Sequence, residues 1–462
     1  MSPNAYGSGG RERQVRSSTR ALTLAVVILL LCVGCGFTRP TTRSKPAAPS
    51  TEAAVQINGD TSNPVNQIAA KAIADIEAFW KTEFPKLYGR EYTPVKGGLY
   101  AVVPSSGKLP PCASSKADIA GNAFYCPKSD VVAWDAEGLL PSLRKRFGDF
   151  VIPVVLAHEF GHAIQARAEF SGLTVTKEIQ ADCFAGAWAA HAINDKTFTP
   201  SLNDQDRALA GFLFLRDEPG TQKDDPRAHG SGFDRVSSYR TGFEEGTPRC
   251  KEYRDGDPVV TEIPFNSLVD VASGGNAPYE DIINLVPVDL EDYWSKVFPL
   301  IADKPWQPLQ AARPFDPRRP PACGGAPVTE YVLFYCVPED YVGFDAVKTM
   351  PAIYDEAGDF AVSTLIATQY GLAALDRFGQ GSSDKNTSLR ADCLAGAWAA
   401  NLLLATRETA IFKLSPGDLD KAVAALLIFR GSGDVQRQGQ GAERVDAYRD
   451  GVYEGVKECL SR

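Results

Sequence analysis

The chain has 462 residues, 44% hydrophobic and 23% charged, with a formal net charge of −9. That size and balance suit a globular protein of two or three domains of roughly 150 residues each. The acidic balance excludes a protein built to hold a phosphate backbone, which needs a basic face, so nucleic acid is not an expected partner.

In chain order the first segment is 1–37. Arg11, Arg13, Arg16 and Arg20 precede the apolar run ALTLAVVILLLCVG, the charged and then hydrophobic pattern of an export signal. The stretch LCVGC, ending at Cys35, resembles the lipobox of bacterial lipoproteins, although Cys32 stands where Leu is usual. Lipidation of Cys35 and an uncleaved signal anchor both fit, because the apolar run is at the lower edge of a bilayer-spanning length. Either reading attaches the chain to the membrane, with its folded part on the extracytoplasmic face. Residues 38–66, rich in Pro, Ser, Thr and Ala, read as a flexible stalk.

The first folded domain is expected at 67–257. After FYCP at 124–127, an apolar run ends in HEFGH, with His158, Glu159 and His162. A spacing of four residues, at 3.6 per turn, puts both imidazoles on one helical face, where they can share a zinc ion. Glu159, about 100° further round, can reach a water on that metal without binding it. A catalytic zinc takes three protein ligands and keeps one position open. Sixteen residues on, EIQADCFAGAWAAH offers Glu178 and, one turn later, Asp182. Glu178 is the expected third ligand and Asp182 an acceptor that orients a histidine ring; the reverse assignment stays open, since both lie on one face.

All four histidines of the chain fall in this half. His191, more than three turns beyond Glu178, reads as a packing or surface residue. His229 lies in a segment expected to be tied back by a disulfide, and is a candidate catalytic donor to a developing oxyanion.

Cysteine usage agrees with an exported chain. Cys112, Cys126, Cys183 and Cys250 recur as Cys323, Cys336, Cys393 and Cys459, at offsets of 209 to 211 residues. The expected pairs are Cys112 with Cys126 and Cys183 with Cys250, then Cys323 with Cys336 and Cys393 with Cys459, because the short loop closes readily. The repeat extends to ADCFAGAWAAH at 181–191 and ADCLAGAWAAN at 391–401, and to RVSSYRTGFEEG and RVDAYRDGVYEG. It predicts a second domain of the same ancestry at 276–462, after a linker at 258–275. There Thr368, Gln369, Leu372, Ser388 and Gln438 stand in place of His158, Glu159, His162, Glu178 and His229, while Asp392 keeps the place of Asp182. A degenerate pseudo-peptidase domain that binds no zinc follows from those replacements.

HEFGH, EIQADCFAGAWA, the FYCP before them, and HG followed by RV, GF and Cys250 together resemble the bacterial neutral zinc metallopeptidases. The resemblance covers about residues 67–257. It implies zinc on His158, His162 and Glu178, Glu159 as catalytic base, and a minimal zincin core with the active-site helix beside a small sheet. It implies no substrate more specific than a peptide or protein. The expected fold is α+β: a duplicated, mostly helical zincin-like domain with a small sheet and two disulfides in each copy. The expected function is zinc-dependent peptide hydrolysis in the cell envelope. Its rival is a non-catalytic envelope binding protein with two interaction modules and a structural zinc, which a fourth protein ligand would close.

Overall fold

The computed structural model describes residues 55–429 and 435–462. The export segment, Cys35 and residues 38–54 of the stalk lie outside the described residues. Strands β1 (Ile57–Asn58), β2 (Gly98–Val102), β3 (Ala123–Cys126) and β4 (Val131–Asp135) form a sheet of order β1-β2-β4-β3, parallel except that β3 runs against β4. Every residue of β4 is buried, as a central strand covered on both faces requires. Helix α1 (Pro64–Tyr88) starts where Asn63 accepts from the Val65 amide and Pro64 takes the first helical position.

The expected stalk therefore ends early. Ile57 and Asn58 pair with Leu99 and Tyr100, and the buried Asn66 accepts from Trp134 Nε1 at 3.0 Å. A free sheet edge captures this segment, and local composition carries no trace of that edge.

Helices α2 (Leu139–Phe147), α3 (Val151–Ala168), α4 (Thr174–Asn194), α5 (Leu202–Phe214), α6 (Gly232–Glu245) and α7 (Thr247–Lys251) complete the first half. Helix α3 is apolar on all sides up to its motif residues and buried from Val151 to Gly161, so it becomes the central helix. It crosses α4 at Gly161, where an added Cβ would fall 2.8 Å from the Ala181 Cα. Glycine there lets the two backbones approach until the histidines of one helix face the carboxylates of the other. Helix α4 in turn lies on α6 through Gly186, where a Cβ would meet the Tyr239 carbonyl oxygen at 1.9 Å.

The second half contains α8 (Leu268–Ala272), α9 (Tyr279–Ala302), β5 (Ala311–Phe315), β6 (Ala322–Cys323), β7 (Ala326–Pro327), β8 (Leu333–Cys336) and β9 (Tyr341–Asp345), then α10 (Thr349–Ala357), α11 (Asp359–Arg377), α12 (Lys385–Leu403), α13 (Asp418–Ile428), α14 (Val435–Gln438), α15 (Gly441–Glu454) and α16 (Val456–Ser461). Its main sheet has the order β5-β9-β8, with β6 and β7 as a separate hairpin. Helix α8 occupies the expected linker, which is fastened to the second half by Asn266 Nδ2 on the Leu414 carbonyl at 3.0 Å and by Ser415 on Asp270 at 2.8 Å.

The architecture is α+β and mostly helical, with the four expected disulfides: Cys112–Cys126, Cys183–Cys250, Cys323–Cys336 and Cys393–Cys459. The described residues pack as one body with a core that runs through both halves. Helices α5 and α6 lie against α13 and α15. Asp206 of α5 accepts from the amides of Gly441 and Ala442 at the start of α15, at 3.0 and 2.8 Å. Asp420 of α13 accepts from the Phe233 amide in the first turn of α6 at 2.7 Å. Arg240 and Asp446 form a buried ion pair across the same junction at 2.9 Å.

Cys183 and Cys250 are 67 residues apart. On the chain-entropy model, replacing both by Ala lowers the unfolding free energy by roughly 4 kcal/mol. Urea denaturation of the full chain checks this, and a loss below about 1 kcal/mol contradicts it.

Candidate metal centre

Helices α3 and α4 bring two imidazoles and a carboxylate to one point. His158 Nε2 lies 3.1 Å from His162 Nε2 and 3.2 Å from Glu178 Oε2, and His162 Nε2 lies 3.3 Å from Glu178 Oε1. The other nitrogen of each ring is already engaged: His158 Nδ1 with Asp182 Oδ1 at 2.6 Å and His162 Nδ1 with Gln165 Oε1 at 2.9 Å. Gln165 has its amide nitrogen on the Lys177 carbonyl at 2.6 Å and on Gln180 Oε1 at 3.1 Å, which turns its oxygen toward His162. Both Nδ1 atoms face oxygens, so in the neutral rings Nδ1 carries the proton and Nε2 keeps the lone pair for a metal.

Two lone pairs and a carboxylate that face each other in a buried site repel unless positive charge sits among them. A tetrahedral ion with bonds of about 2.1 Å holds its ligands about 3.4 Å apart, close to the spacing found here. Two imidazoles and one carboxylate are a donor set that suits zinc. The residues present therefore fit the metal.

The electrostatics agree. Burial opposes charge on His158, but the Asp182 and Glu178 carboxylates outweigh it and draw its pKa up to about 10. His162 is also raised, against its burial, chiefly by Glu178. Glu178, whose burial disfavours ionisation, is nevertheless held well below the usual carboxylate range by the two imidazoles. The site demands cationic charge, from protons or from a metal.

Asp182 sits behind the cluster. It is fully buried and takes both Nε and Nη2 of Arg235 from α6, at 2.8 and 2.9 Å. Burial disfavours its charge, but Arg235 and His158 hold its pKa below the usual carboxylate value. Of the two carboxylates left open by the helical spacing, Glu178 joins the histidines in a trio that could hold a metal ion, and Asp182 lies on His158 Nδ1. Glu159 is buried beside the trio, and its Oε2 accepts the Tyr125 amide of β3 at 2.9 Å. Burial pushes its pKa up.

The trio opens into a cavity of about 490 Å³ that is also lined by Phe124, Glu159, Phe212 and His229. Asp217 holds His229, taking its amide at 2.7 Å and its Nδ1 at 3.1 Å. That hydrogen bond raises the pKa of the ring. His191 instead packs on Phe79, with ring centroids 4.9 Å apart.

In the second half, Thr368 donates to the Leu365 carbonyl at 2.8 Å, Gln369 donates to Thr368 at 3.0 Å, and Leu372 joins the core. Among the described residues the other grouping of ligand atoms, Cys323, Cys336 and Glu339, has its two sulfurs tied in a disulfide.

Gln165, Arg235, Asp217 and the Tyr125 amide are absent from the sequence reading. Arg235 had a signal: Asp182 with Arg235 recurs as Asp392 with Arg444, again bidentate at 2.8 and 2.9 Å, where the histidines do not recur. Gln165 had only its place one turn after His162, and Asp217 had none.

The model of the family described as "Putative neutral zinc metallopeptidase" matches residues 1–253. The uncharacterized protein YpfJ of Escherichia coli strain K12 is 26% identical over 272 residues, which cover 53% of this chain and 90% of that protein. The uncharacterized protein Rv2575 of Mycobacterium tuberculosis strain H37Rv is 28% identical over 211 residues, 39% of this chain and 68% of that one. No solved structure gives a significant match.

Replacing Asp182 by Ala leaves Arg235 buried without its partner and His158 free to rotate. The expected result is a loss of about 3–5 kcal/mol in stability and about 10- to 100-fold weaker zinc binding. Denaturation and competition with a chelator measure the two, and a variant with both unchanged contradicts the assignment.

Proposed function

The chain belongs to the neutral zinc metallopeptidase family, and on that premise we propose that it hydrolyses peptide bonds with His158, His162 and Glu178 as zinc ligands and Glu159 as general base. The observation that carries this reading is the meeting of three lone-pair atoms beside a buried carboxylate at the floor of a cavity. Bound zinc supplies a Lewis acid that acidifies a water molecule and polarises a carbonyl. Asp182 and Gln165 keep each ring in the tautomer that leaves Nε2 free. Glu159 takes a proton from the attacking water and passes it to the leaving amine. His229, whose Nδ1 is held by Asp217, offers Nε2–H to the carbonyl oxygen as negative charge builds there.

The non-catalytic alternative needs a closed metal site. Among the described residues no fourth ligand side chain joins the trio, and the cavity opens onto it. The substrate class is a peptide or protein.

The setting is read as the extracytoplasmic face of the membrane. Four disulfides call for an oxidising compartment, and the arginine-led apolar segment fits export with attachment through Cys35 or an uncleaved anchor. No described helix is long and apolar enough to cross a membrane. The second half, 276–462, is read as a degenerate copy of 67–257. Matching disulfides, the Asp392–Arg444 pair and the Gly371 approach to Ala391 support that ancestry.

Glu159→Gln is expected to keep one zinc per chain while turnover of a peptide library falls roughly 10²- to 10⁴-fold. His162→Ala is expected to lose the metal, since two remaining ligands rarely hold it at neutral pH. Metal analysis and mass-spectrometric detection of cleavage read both outcomes, and unchanged turnover in Glu159→Gln sinks the mechanism.

A further inference from the structure

We propose that Asp420, on α13 of the second half, is a positioning residue for His229, so that the half without ligands completes the site of the half that has them. Residues 215–231 connect α5 to α6 and carry both Asp217 and His229. The neck of this loop is closed from within: Asp217 donates its amide to the Gly230 carbonyl at 3.2 Å, and its carboxylate accepts the amides of His229 and Gly230 at 2.7 and 2.8 Å. Asp420 closes the same neck from outside. Its Oδ2 lies 3.0 Å from Nε of Arg216, the residue before Asp217, and its Oδ1 accepts the Phe233 amide at 2.7 Å. One carboxylate, 4% exposed, thus grips the entering and the leaving strand of the loop. The fit is close: a Cβ at Gly232 would fall 3.1 Å from the Asp420 Cγ.

Asp206 makes the reciprocal contact on the start of α15, so the frame is common to both halves. What the gripped segments carry differs, since His229 and Asp217 sit on one side while Gln438 stands opposite. The side chain of His229 is 53% exposed and has Asp217 as its hydrogen-bond partner. A shift of the neck therefore moves the ring, and a displacement near 1 Å in a site of this kind costs about 10²-fold in rate.

The proposal rests on the role given to His229 above, and the test separates the two. The full chain is labelled with 13C-histidine; with four histidines in the sequence, the ring signal of His229 is assigned by its loss in His229→Ala. In zinc-loaded Asp420→Asn that signal is expected to shift or broaden while those of His158 and His162 stay, and an unmoved signal overturns the proposal. Zinc content is expected to hold while kcat falls at least about tenfold, with no further fall when Asp420→Asn is added to His229→Ala. Equal losses in both backgrounds overturn the proposal, because they mark general destabilisation. If His229→Ala keeps full kcat and the signal still moves, the clamp stands and the catalytic role of His229 falls. Arg216→Gln, which breaks one arm of the clamp, is the second variant should Asp420→Asn not fold; it is expected to move the same signal, and failure to do so overturns the clamp.

Discussion

The crossing of α3 over α4 sets the rest of the molecule. With Gly161 against Ala181, the two helices come close enough for Nε2 of His158, Nε2 of His162 and the Glu178 carboxylate to occupy one small volume. That arrangement is unfavourable by itself and becomes favourable with a cation. The surroundings hold it in place: Arg235 on Asp182, Asp182 on His158, Gln165 on His162, and the Cys183–Cys250 bridge that fastens α7 to α4 beside Asp182.

The two halves share a buried Asp–Arg pair but differ in what faces it. Asp392 keeps its bidentate arginine, and Gly371 keeps its approach to Ala391, yet no imidazole faces that carboxylate. The electrostatic consequence is direct. Burial raises the pKa of Asp392 with Arg444 alone to oppose it, whereas Asp182, equally buried, is lowered because His158 adds to Arg235. A buried ion pair is a weak contributor to stability, but removal of one partner is costly, which accounts for a buried Asp392–Arg444 pair with no imidazole beside it.

Short-range periodicity made the centre of the site legible. His158, Glu159 and His162 lie on one helix and Glu178 on the next, and spacing put the two histidines on one face while it left Glu178 and Asp182 as alternatives. The disulfides were legible for another reason: offsets near 210 residues divided eight cysteines into two sets of four. What could not be read depends on contacts distant in the chain. Asp420 reaches Phe233 across 187 residues, and Trp134 reaches Asn66 across 68. The capture of Ile57 by the sheet and the packing of both halves into one body are of that kind, and no local pattern announces them.

Zinc K-edge X-ray absorption of the full chain tests the central claim most directly. The account predicts one zinc per chain with two imidazole nitrogens at about 2.0–2.1 Å, oxygen donors for the remaining positions and no sulfur. A sulfur shell at about 2.3 Å, a single imidazole, or a chain that binds no zinc would contradict it.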